Sequence, residues 1–206
     1  MSAVRVKLCG VRRPEDAILC AEAGADEVGV VFAPRSRRCI TAATARDIRA
    51  ALPAHLPLIG VFQDAALADA LAMARSVGLA AVQFHGRLPA PGGALPLYAA
   101  VQIDGEPALA GLAALRGFRG VLLDGPAGGG GGVSFAWSLA HKARDRFDAE
   151  VFVAGGLTSD NVGEAIRAAR PDGVDVSSGI EGSDGFKDAQ RVRAFVHAAR
   201  AAAAEL

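Results

Sequence analysis

Two side chains that could transfer protons stand where short apolar runs of the sequence end. Cys9 follows the run Val4–Leu8, and Asp124 follows Val121–Leu123. A thiolate can abstract a proton from carbon, and a carboxyl group whose pKa is raised by burial can donate one. Gly10 is expected to leave the sulfur of Cys9 accessible. The ordinary alternatives are a small buried cysteine and an aspartate that forms a turn.

Two further polar groups follow the second and fourth apolar runs. The loop Pro34–Arg38 contains three arginines and comes directly after Glu27–Phe32 and Ala33. One guanidinium of the three could bind a substrate carboxylate through two parallel hydrogen bonds, and the others are expected to be solvated. His85 follows Ala81–Phe84 and is expected to line the same pocket without transferring protons.

Two glycine-containing turns predict a phosphate site. Glycine lets backbone N–H groups approach an anion with no Cβ in the way, and serine adds hydroxyl donors. Ordinary tight turns are the alternative, but the two turns follow neighbouring apolar runs near the end of the chain. The candidate phosphate-binding residues are Gly155, Gly156, Ser177, Ser178 and Gly179.

These residues are separated by short apolar runs that alternate with longer, alanine-rich stretches of helical period. The predicted strands are Val4–Leu8, Glu27–Phe32, Leu58–Phe62, Ala81–Phe84, Leu97–Gln102, Val121–Leu123, Val151–Val153 and Gly173–Val176. The predicted helices are Pro14–Ala23, Thr41–Leu52, Ala66–Val77, Glu106–Leu115, Trp137–Arg146, Asn161–Ala169 and Lys187–Ala203. Apolar strands that alternate with helices indicate a parallel sheet covered on both faces.

Eight strands in 206 residues predict a single (β/α)8-barrel catalytic domain over residues 1–206. A doubly wound open sheet is the alternative, but the glycine-rich turn expected after its first strand is absent. The helix after the fourth strand should be shortened or missing, because prolines and glycines crowd residues 87–96. In such a barrel the residues just past the strands face the active site, and phosphate frequently binds after strands seven and eight.

Composition restricts the partners. Lysine and arginine number 22, as do aspartate and glutamate, so the net charge is zero and a nucleic-acid-binding surface is not expected. No apolar stretch is long enough for a membrane helix. The three cysteines lack metal-ligand spacing, and their odd number fits a reduced, cytoplasmic setting. We expect a phosphorylated small-molecule substrate, no metal, and a monomer or homodimer.

Two further predictions follow from position along the strands. Lys7 and Asp175 should both point into the barrel from neighbouring strands, where they would form an interior ion pair. The run Gly128–Gly132 is predicted to be a mobile loop that acts as a lid over the active face, with a tolerated surface insertion as the alternative.

With these residues assembled, the sequence resembles phosphoribosylanthranilate isomerase over nearly its whole length. The motifs that carry the resemblance are Lys7–Gly10, Gly24–Phe32, Pro34–Arg38, Gly60–Phe62, Val82–Gly86, Leu122–Asp124, Ala154–Leu157 with Asn161, and Gly173–Glu181 with Lys187 and Asp188. Cys39 stands where the family usually has an aromatic residue, so one pocket wall is expected to be smaller, and Phe84 replaces the commoner leucine before His85.

The resemblance implies an Amadori rearrangement of N-(5-phosphoribosyl)anthranilate to 1-(2-carboxyphenylamino)-1-deoxyribulose 5-phosphate, the third step from chorismate in tryptophan biosynthesis. It implies that Asp124 protonates the ring oxygen and that Cys9 removes the C2 proton. It further implies that Arg38 holds the anthranilate carboxylate, that the glycine and serine turns bind the phosphate, and that no cofactor is needed. We also expect His85 and Asp175 to bind substrate.

Two alternatives remain at this point. Another phosphosugar barrel enzyme is one: indoleglycerol-phosphate synthase would need a lysine acid and a glutamate at strand ends, and a dual-substrate isomerase would need an aspartate in place of Cys9. A non-catalytic phosphate-binding barrel is the other, and the presence of both Cys9 and Asp124 argues against it.

Overall fold

Eight parallel strands close into a barrel in sequence order, and the last strand pairs with the first. The computed structural model describes residues 4–103, 105–125, 133–144, 147 and 149–206. The strands are β1 Arg5–Leu8, β2 Glu27–Val31, β3 Leu58–Gln63, β4 Ala81–His85, β5 Leu97–Gln102, β6 Gly120–Asp124, β7 Glu150–Ala154 and β8 Gly173–Val176. The α-helices are α1 Pro14–Glu22, α2 Ala42–Ala51, α3 Leu67–Val77, α4 Val133–Arg144, α5 Val162–Ala169 and α6 Ala189–Ala203. The predicted (β/α)8 barrel is confirmed.

The connection after β4 contains no helix, as predicted. Residues 86–96, all of which the structure describes, run directly from β4 to β5. The prolines in this connection lack the backbone N–H that a helix requires, and they fix their own backbone angle.

Two helices differ from their predicted form. Glu106–Leu115 is a 3-10 helix, in which Leu109, Leu112 and Leu115 are buried at every third position. This spacing matches the three residues per turn of a 3-10 helix, so all three leucines face the core. Helix α4 begins at Val133, ahead of its predicted start at Trp137. The Gly128–Gly132 segment, for which a lid was predicted, lies outside the described residues.

The alternation of side chains along β1 separates two environments. Val6 and Leu8 are fully buried in the layer between strands and helices. Arg5, Lys7 and Cys9 instead point into the barrel, because successive residues of a strand face opposite sides. Within the described ranges, no helix is long and apolar enough to cross a membrane.

The predicted ion pair between Lys7 and Asp175 is confirmed. The two residues face each other in the β1–β8 register, and Lys7 Nζ lies 2.6 Å from Asp175 Oδ1. Burial disfavours the charged form of Lys7, which is only 1% exposed, but the adjacent Asp175 carboxylate outweighs this and raises the pKa of the ammonium group. A permanent positive charge is therefore held inside the barrel.

Candidate active site

A cleft of about 540 Å³ opens at the carboxyl ends of the strands. Its walls combine apolar strand ends with polar groups from most of the strands, which is typical of a barrel active site. Of the residues predicted from the sequence, those that line it are Cys9, Arg38, His85, Asp124, Gly155, Gly156, Asp175, Ser177 and Ser178. The structure thus brings together groups that are up to 169 positions apart, from Cys9 to Ser178.

Cys9 is largely buried in the barrel wall, at 6% exposed, yet it lines the cleft. The space beside Gly10 does not belong to the sulfur alone. Gly10 also makes room for other groups: a Cβ there would lie 2.5 Å from Arg38 Cδ and 2.7 Å from Ser177 Oγ. Gly29 makes room for the sulfur itself, because a Cβ at Gly29 would lie 2.6 Å from Cys9 Sγ.

The charge around Cys9 acts in both directions. Burial raises the pKa of the thiol above its ordinary value, and the Asp175 carboxylate raises it further. The positive charges of Lys7 and Lys187 oppose these effects. The ligand-free protein therefore holds Cys9 mainly as a thiol at neutral pH, next to two ammonium groups that favour its ionised form.

Asp124 ends β6 and lines the cleft in a half-buried position. Burial raises the pKa of its carboxyl group, and repulsion from the Asp175 carboxylate raises it further. A raised pKa keeps part of the carboxyl group protonated at a pH where an exposed aspartate would be ionised, which a general acid requires. Gly155 packs directly against this carboxyl group, and a Cβ there would overlap Asp124 Oδ1.

Arg38 is held by a carboxylate of the protein itself. Its Nε lies 2.5 Å from Glu181 Oε1 and its Nη2 lies 2.9 Å from Glu181 Oε2, a bidentate pair. Arg37, predicted to be solvated, also donates to Glu181 Oε2 at 2.6 Å, and Lys187 Nζ lies 3.4 Å from Oε1. Burial raises the pKa of Glu181, but the hydrogen bond from Arg38 and the three positive charges outweigh it and lower the pKa overall.

This arrangement leaves one part of the Arg38 guanidinium for a ligand. Nε and Nη2 are bound to Glu181, whereas Nη1 donates to no side chain or carbonyl among the described residues. One buried carboxylate faces three cations, so the group formed by Arg37, Arg38, Glu181 and Lys187 carries a net positive charge. A bound anion would meet a guanidinium that is already oriented.

The two predicted phosphate-binding turns lie side by side in the cleft wall. Gly155 and Gly156 have φ angles of +81° and +65°, in the left-handed region that favours glycine. The Asn161 side chain fixes this turn, because it accepts from Thr158 N at 2.8 Å and donates to Gly156 O at 3.0 Å. Gly179 does not line the cleft; a Cβ there would overlap the backbone carbonyl of Leu157, so this glycine lets the two turns touch.

His85 lines the cleft at the end of β4 and is connected to the barrel interior. Its Nε2 lies 2.7 Å from Gln83 Nε2, and Gln83 Oε1 accepts from Lys7 Nζ at 2.9 Å. Burial lowers the pKa of His85, and the charge of Lys7 lowers it further, while Asp175 acts in the opposite direction. A neutral imidazole therefore faces the cleft.

Sequence reasoning assigned no role to Gln83, Glu181 or Lys187. Gln83 did carry a signal, because it is a polar residue in phase with His85 within an otherwise apolar strand. Glu181 carried none that pointed to its partners, since Arg38 is 143 positions away in another loop. Among the described residues, no group of three histidine, cysteine or acidic side chains could hold a metal ion.

Comparison with known proteins agrees with this geometry. The family model for N-(5'-phosphoribosyl)anthranilate isomerase matches residues 6–198. A protein of that name from Pseudomonas syringae pv. syringae is 43% identical over 96% of this chain and 98% of its own length. The crystal structure of the phosphoribosylanthranilate isomerase from Thermotoga maritima superposes with a TM-score of 0.87 at 38% identity, covering 96% of this chain and 99% of the other.

A second structure of such an isomerase was determined in complex with reduced 1-(o-carboxyphenylamino)-1-deoxyribulose 5-phosphate. It is 36% identical, with a TM-score of 0.85, and the match covers 96% of this chain and 99% of that one. Both the sequence and the fold match along almost the entire length. The chain belongs to the N-(5'-phosphoribosyl)anthranilate isomerase family.

Proposed function

We propose that Asp124 and Cys9 are the acid and base with which this isomerase converts N-(5'-phosphoribosyl)anthranilate to 1-(2-carboxyphenylamino)-1-deoxyribulose 5-phosphate. The observation that carries the assignment is the shared cleft: both residues line it, together with Arg38 and the two phosphate-binding turns. The substrate has a carboxylate and a phosphate at its two ends. Arg38 and the turns provide one binding group for each.

The rearrangement begins with a proton delivered to the ring oxygen and a proton removed from C2, and both of these atoms are bonded to C1. The carboxyl group of Asp124 gives its proton to the furanose ring oxygen, the C1–O bond breaks, and the anthranilate nitrogen becomes an iminium. The Cys9 thiolate then removes the proton from C2, and the electron pair of that C–H bond neutralises the iminium to give an enolamine. Return of a proton to C1 and loss of the C2 hydroxyl proton yield the ketone, so the reaction has no net proton change.

The protein environment matches these roles. The acid must be protonated before the reaction, and burial raises the pKa of Asp124. The base must be ionised; burial raises the pKa of the thiol on balance, and the charges of Lys7 and Lys187 stabilise the thiolate once it forms. The substrate's own amine makes the C2 proton acidic, so the proposed steps use only groups of this chain and of the substrate.

The binding groups are assigned by their position. The Gly155–Gly156 turn and the Ser177–Ser178 turn offer backbone N–H groups and hydroxyls to the phosphate, while Arg38 offers Nη1 to the carboxylate. The ligand of the related crystal complex carries both a carboxyl group and a phosphate, which supports a site with two anion-binding ends. His85 and Asp175 face the part of the substrate between these ends.

A fluorescence assay tests the proposal. Freshly prepared phosphoribosylanthranilate is added to the purified protein, and turnover is followed as the loss of anthranilate fluorescence. Folded protein should convert the substrate, and absence of turnover by folded protein would overturn the assignment. The variants Cys9→Ser and Asp124→Asn then test the two roles. Each should lose turnover but still bind a product analogue.

We also propose that residues 1–206 act as one catalytic domain in the cytoplasm, as a monomer or homodimer. The continuous barrel supports a single domain, and the odd number of cysteines fits a reducing compartment. Light scattering coupled to size-exclusion chromatography measures the mass in solution, and a mass above that of two chains would contradict the proposed assembly.

A further inference from the structure

The buried side chain of Gln83 connects the interior ion pair of Lys7 and Asp175 to His85 in the wall of the cleft. Asp175 holds Lys7 at 2.6 Å, Lys7 Nζ donates to Gln83 Oε1 at 2.9 Å, and Gln83 Nε2 lies 2.7 Å from His85 Nε2. Lys7 is 1% exposed and Gln83 is 2% exposed, so water does not compete for these bonds. The orientation of each group is therefore determined by its neighbour.

The chemistry of Lys7 fixes the direction of every bond that follows. An ammonium group only donates, so the Gln83 atom that faces it must be the amide oxygen. The other side of the amide is then an NH2 group, which also only donates. The His85 nitrogen that faces it must accept, and a nitrogen that accepts carries no proton. Rotating the amide by 180° would place its NH2 group against the ammonium group and lose the hydrogen bond to Lys7.

We infer that Lys7 and Gln83 fix His85 as the neutral tautomer with its proton on Nδ1, so that the ring presents one hydrogen-bond donor to the substrate. An imidazolium would need a proton on Nε2 as well, where Gln83 already offers one. Within the described ranges, no group accepts a hydrogen bond from His85 Nδ1. Lys7 and Gln83 act as positioning residues, because they act on the substrate through His85.

The fixed tautomer has a consequence for the kind of atom that His85 recognises. A neutral N–H donor favours a hydroxyl or ring oxygen, which lies between the carboxylate and the phosphate of the substrate. It adds no third cation to a cleft that already contains anion-binding groups at two ends. The role toward substrate rests on the proposed function, whereas the tautomer is a property of the ligand-free protein.

Nitrogen NMR of the full-length, ligand-free protein measures the tautomer directly. The chain has four histidines, and labelling them with 15N gives long-range proton–nitrogen correlations for each ring. The variant His85→Asn assigns the His85 signals by their disappearance. We expect a protonated Nδ1 and an unprotonated Nε2 in the unaltered protein. A protonated Nε2 would overturn the inference, and this measurement needs no turnover and no altered core.

The variant Gln83→Glu should reverse the tautomer. It has nearly the same shape, but a carboxylate accepts on both sides, from Lys7 and from the His85 ring. The His85 proton should therefore appear on Nε2. Gln102→Glu, on the exposed end of β5, adds the same charge without a bond to His85 and should leave the tautomer unchanged. An unchanged His85 tautomer in a folded Gln83→Glu protein would contradict the inference.

Two replacements of His85 itself separate the two ring positions. Asparagine can place its amide N–H near the position of Nδ1, and glutamine reaches the position of Nε2. We expect KM to rise in both variants, but about tenfold more in His85→Gln than in His85→Asn, with smaller changes in kcat. Equal KM values for the two variants would refute a donor at Nδ1, and a structural role alone would not distinguish them.

Discussion

Arg5 and Cys9 lie on the same face of one strand, yet the two ends of the barrel treat them differently. At the amino end, Arg5 pairs with Glu27 at 3.0 Å and with Glu150 at 2.6 Å, and its guanidinium lies 4.8 Å from the centre of the Phe152 ring. At the carboxyl end, Cys9 faces a cleft, with Asp124 across it. Lys7 lies between them. The side chains inside the barrel therefore form an amino-end layer with Arg5, a middle layer with Lys7 and a carboxyl-end layer with Cys9.

The difference teaches that the same strand pattern produces stability at one end and reactivity at the other. Polar groups at the amino end are paired: Tyr98 donates to Glu150 at 2.7 Å, and Arg119 lies 2.8 Å from the same carboxylate. At the carboxyl end, burial raises the pKa of Cys9 and of Asp124, and the charges of Lys7 and Lys187 only oppose this effect on the thiol. Paired charges stabilise the fold, whereas groups whose charged form is disfavoured by burial are suited to exchange protons.

The largest effect should come from removing the proton-transfer groups. Cys9→Ser and Asp124→Asn should each lower kcat by about 10²- to 10⁴-fold, because a positioned acid or base contributes that much to the rate. Thermal unfolding should be nearly unchanged, because neither group supports a network that holds the fold. A variant that loses stability in parallel with activity would show that the carboxyl end of the barrel also has a structural role.

The opposite result is expected at the amino end. Arg5→Met leaves the buried Glu27 carboxylate without its main partner, and we expect the free energy of unfolding to fall by about 2–3 kcal/mol. This is below the full cost for a buried pair, because the Arg5 side chain is 31% exposed and partly screened. Denaturant unfolding measures the change, and kcat and KM of the folded variant should stay close to those of the unaltered protein.

Whether a contact could be predicted from the sequence depends on whether it follows from strand geometry or from the packing of distant segments. The period of two along β1 is enough to place Arg5, Lys7 and Cys9 on one face, and the β1–β8 neighbourhood predicted the pair of Lys7 with Asp175. Both follow from strand geometry, which is local or set by the barrel order.

Contacts between loops were not predictable in this way. Glu181 belongs to a recognisable motif, but its role depends on the arginines of a loop that is distant in sequence and meets it only after the barrel closes. The extent of burial of Cys9 was not predicted either, because it depends on Gly29 of the neighbouring strand β2, which leaves room for the sulfur. Sequence periodicity assigns a face, and packing between loops assigns the partner.

A third prediction concerns the orientation of Arg38. Glu181→Gln keeps the shape of the side chain but removes the charge that attracts Arg37, Arg38 and Lys187, so we expect KM to rise about tenfold with a smaller change in kcat. Steady-state kinetics measure the change. Arg35→Gln, in the exposed part of the same loop, is the matched control and should leave KM unchanged. A fall in kcat with constant KM would indicate that Glu181 acts on the chemical step instead.

Replacing Lys7 or Asp175, the two charged residues of the middle layer, should change the pKa of Cys9 in opposite directions. The charge of Lys7 lowers the pKa of Cys9, and the charge of Asp175 raises it. Lys7→Met should therefore raise the pKa of the thiol, and Asp175→Asn should lower it. Because the base is active as the thiolate, the limb of the kcat/KM profile that rises with pH should move to higher pH in the first variant and to lower pH in the second.

Alkylation of Cys9 as a function of pH measures these changes without turnover. Peptide mass spectrometry separates Cys9 from the exposed Cys39 and from Cys20, whose pKa burial raises to about 12. Shifts of the same sign in both variants would contradict an electrostatic origin and indicate a general loosening of the barrel.

The smallest effect is expected from an exposed ion pair. It tests whether an ion pair stabilises the fold wherever it lies or only where it is buried. Arg167 and Glu205 form a pair of 3.0 Å, the same length as Arg5 to Glu27, but their side chains are 53% and 59% exposed. We expect Arg167→Met to change the free energy of unfolding by less than about 0.5 kcal/mol, because water screens an exposed pair. Denaturant unfolding of Arg167→Met beside Arg5→Met compares pairs of equal length and different burial. If both variants lose the same stability, burial is not what makes the amino end of the barrel its stabilising layer.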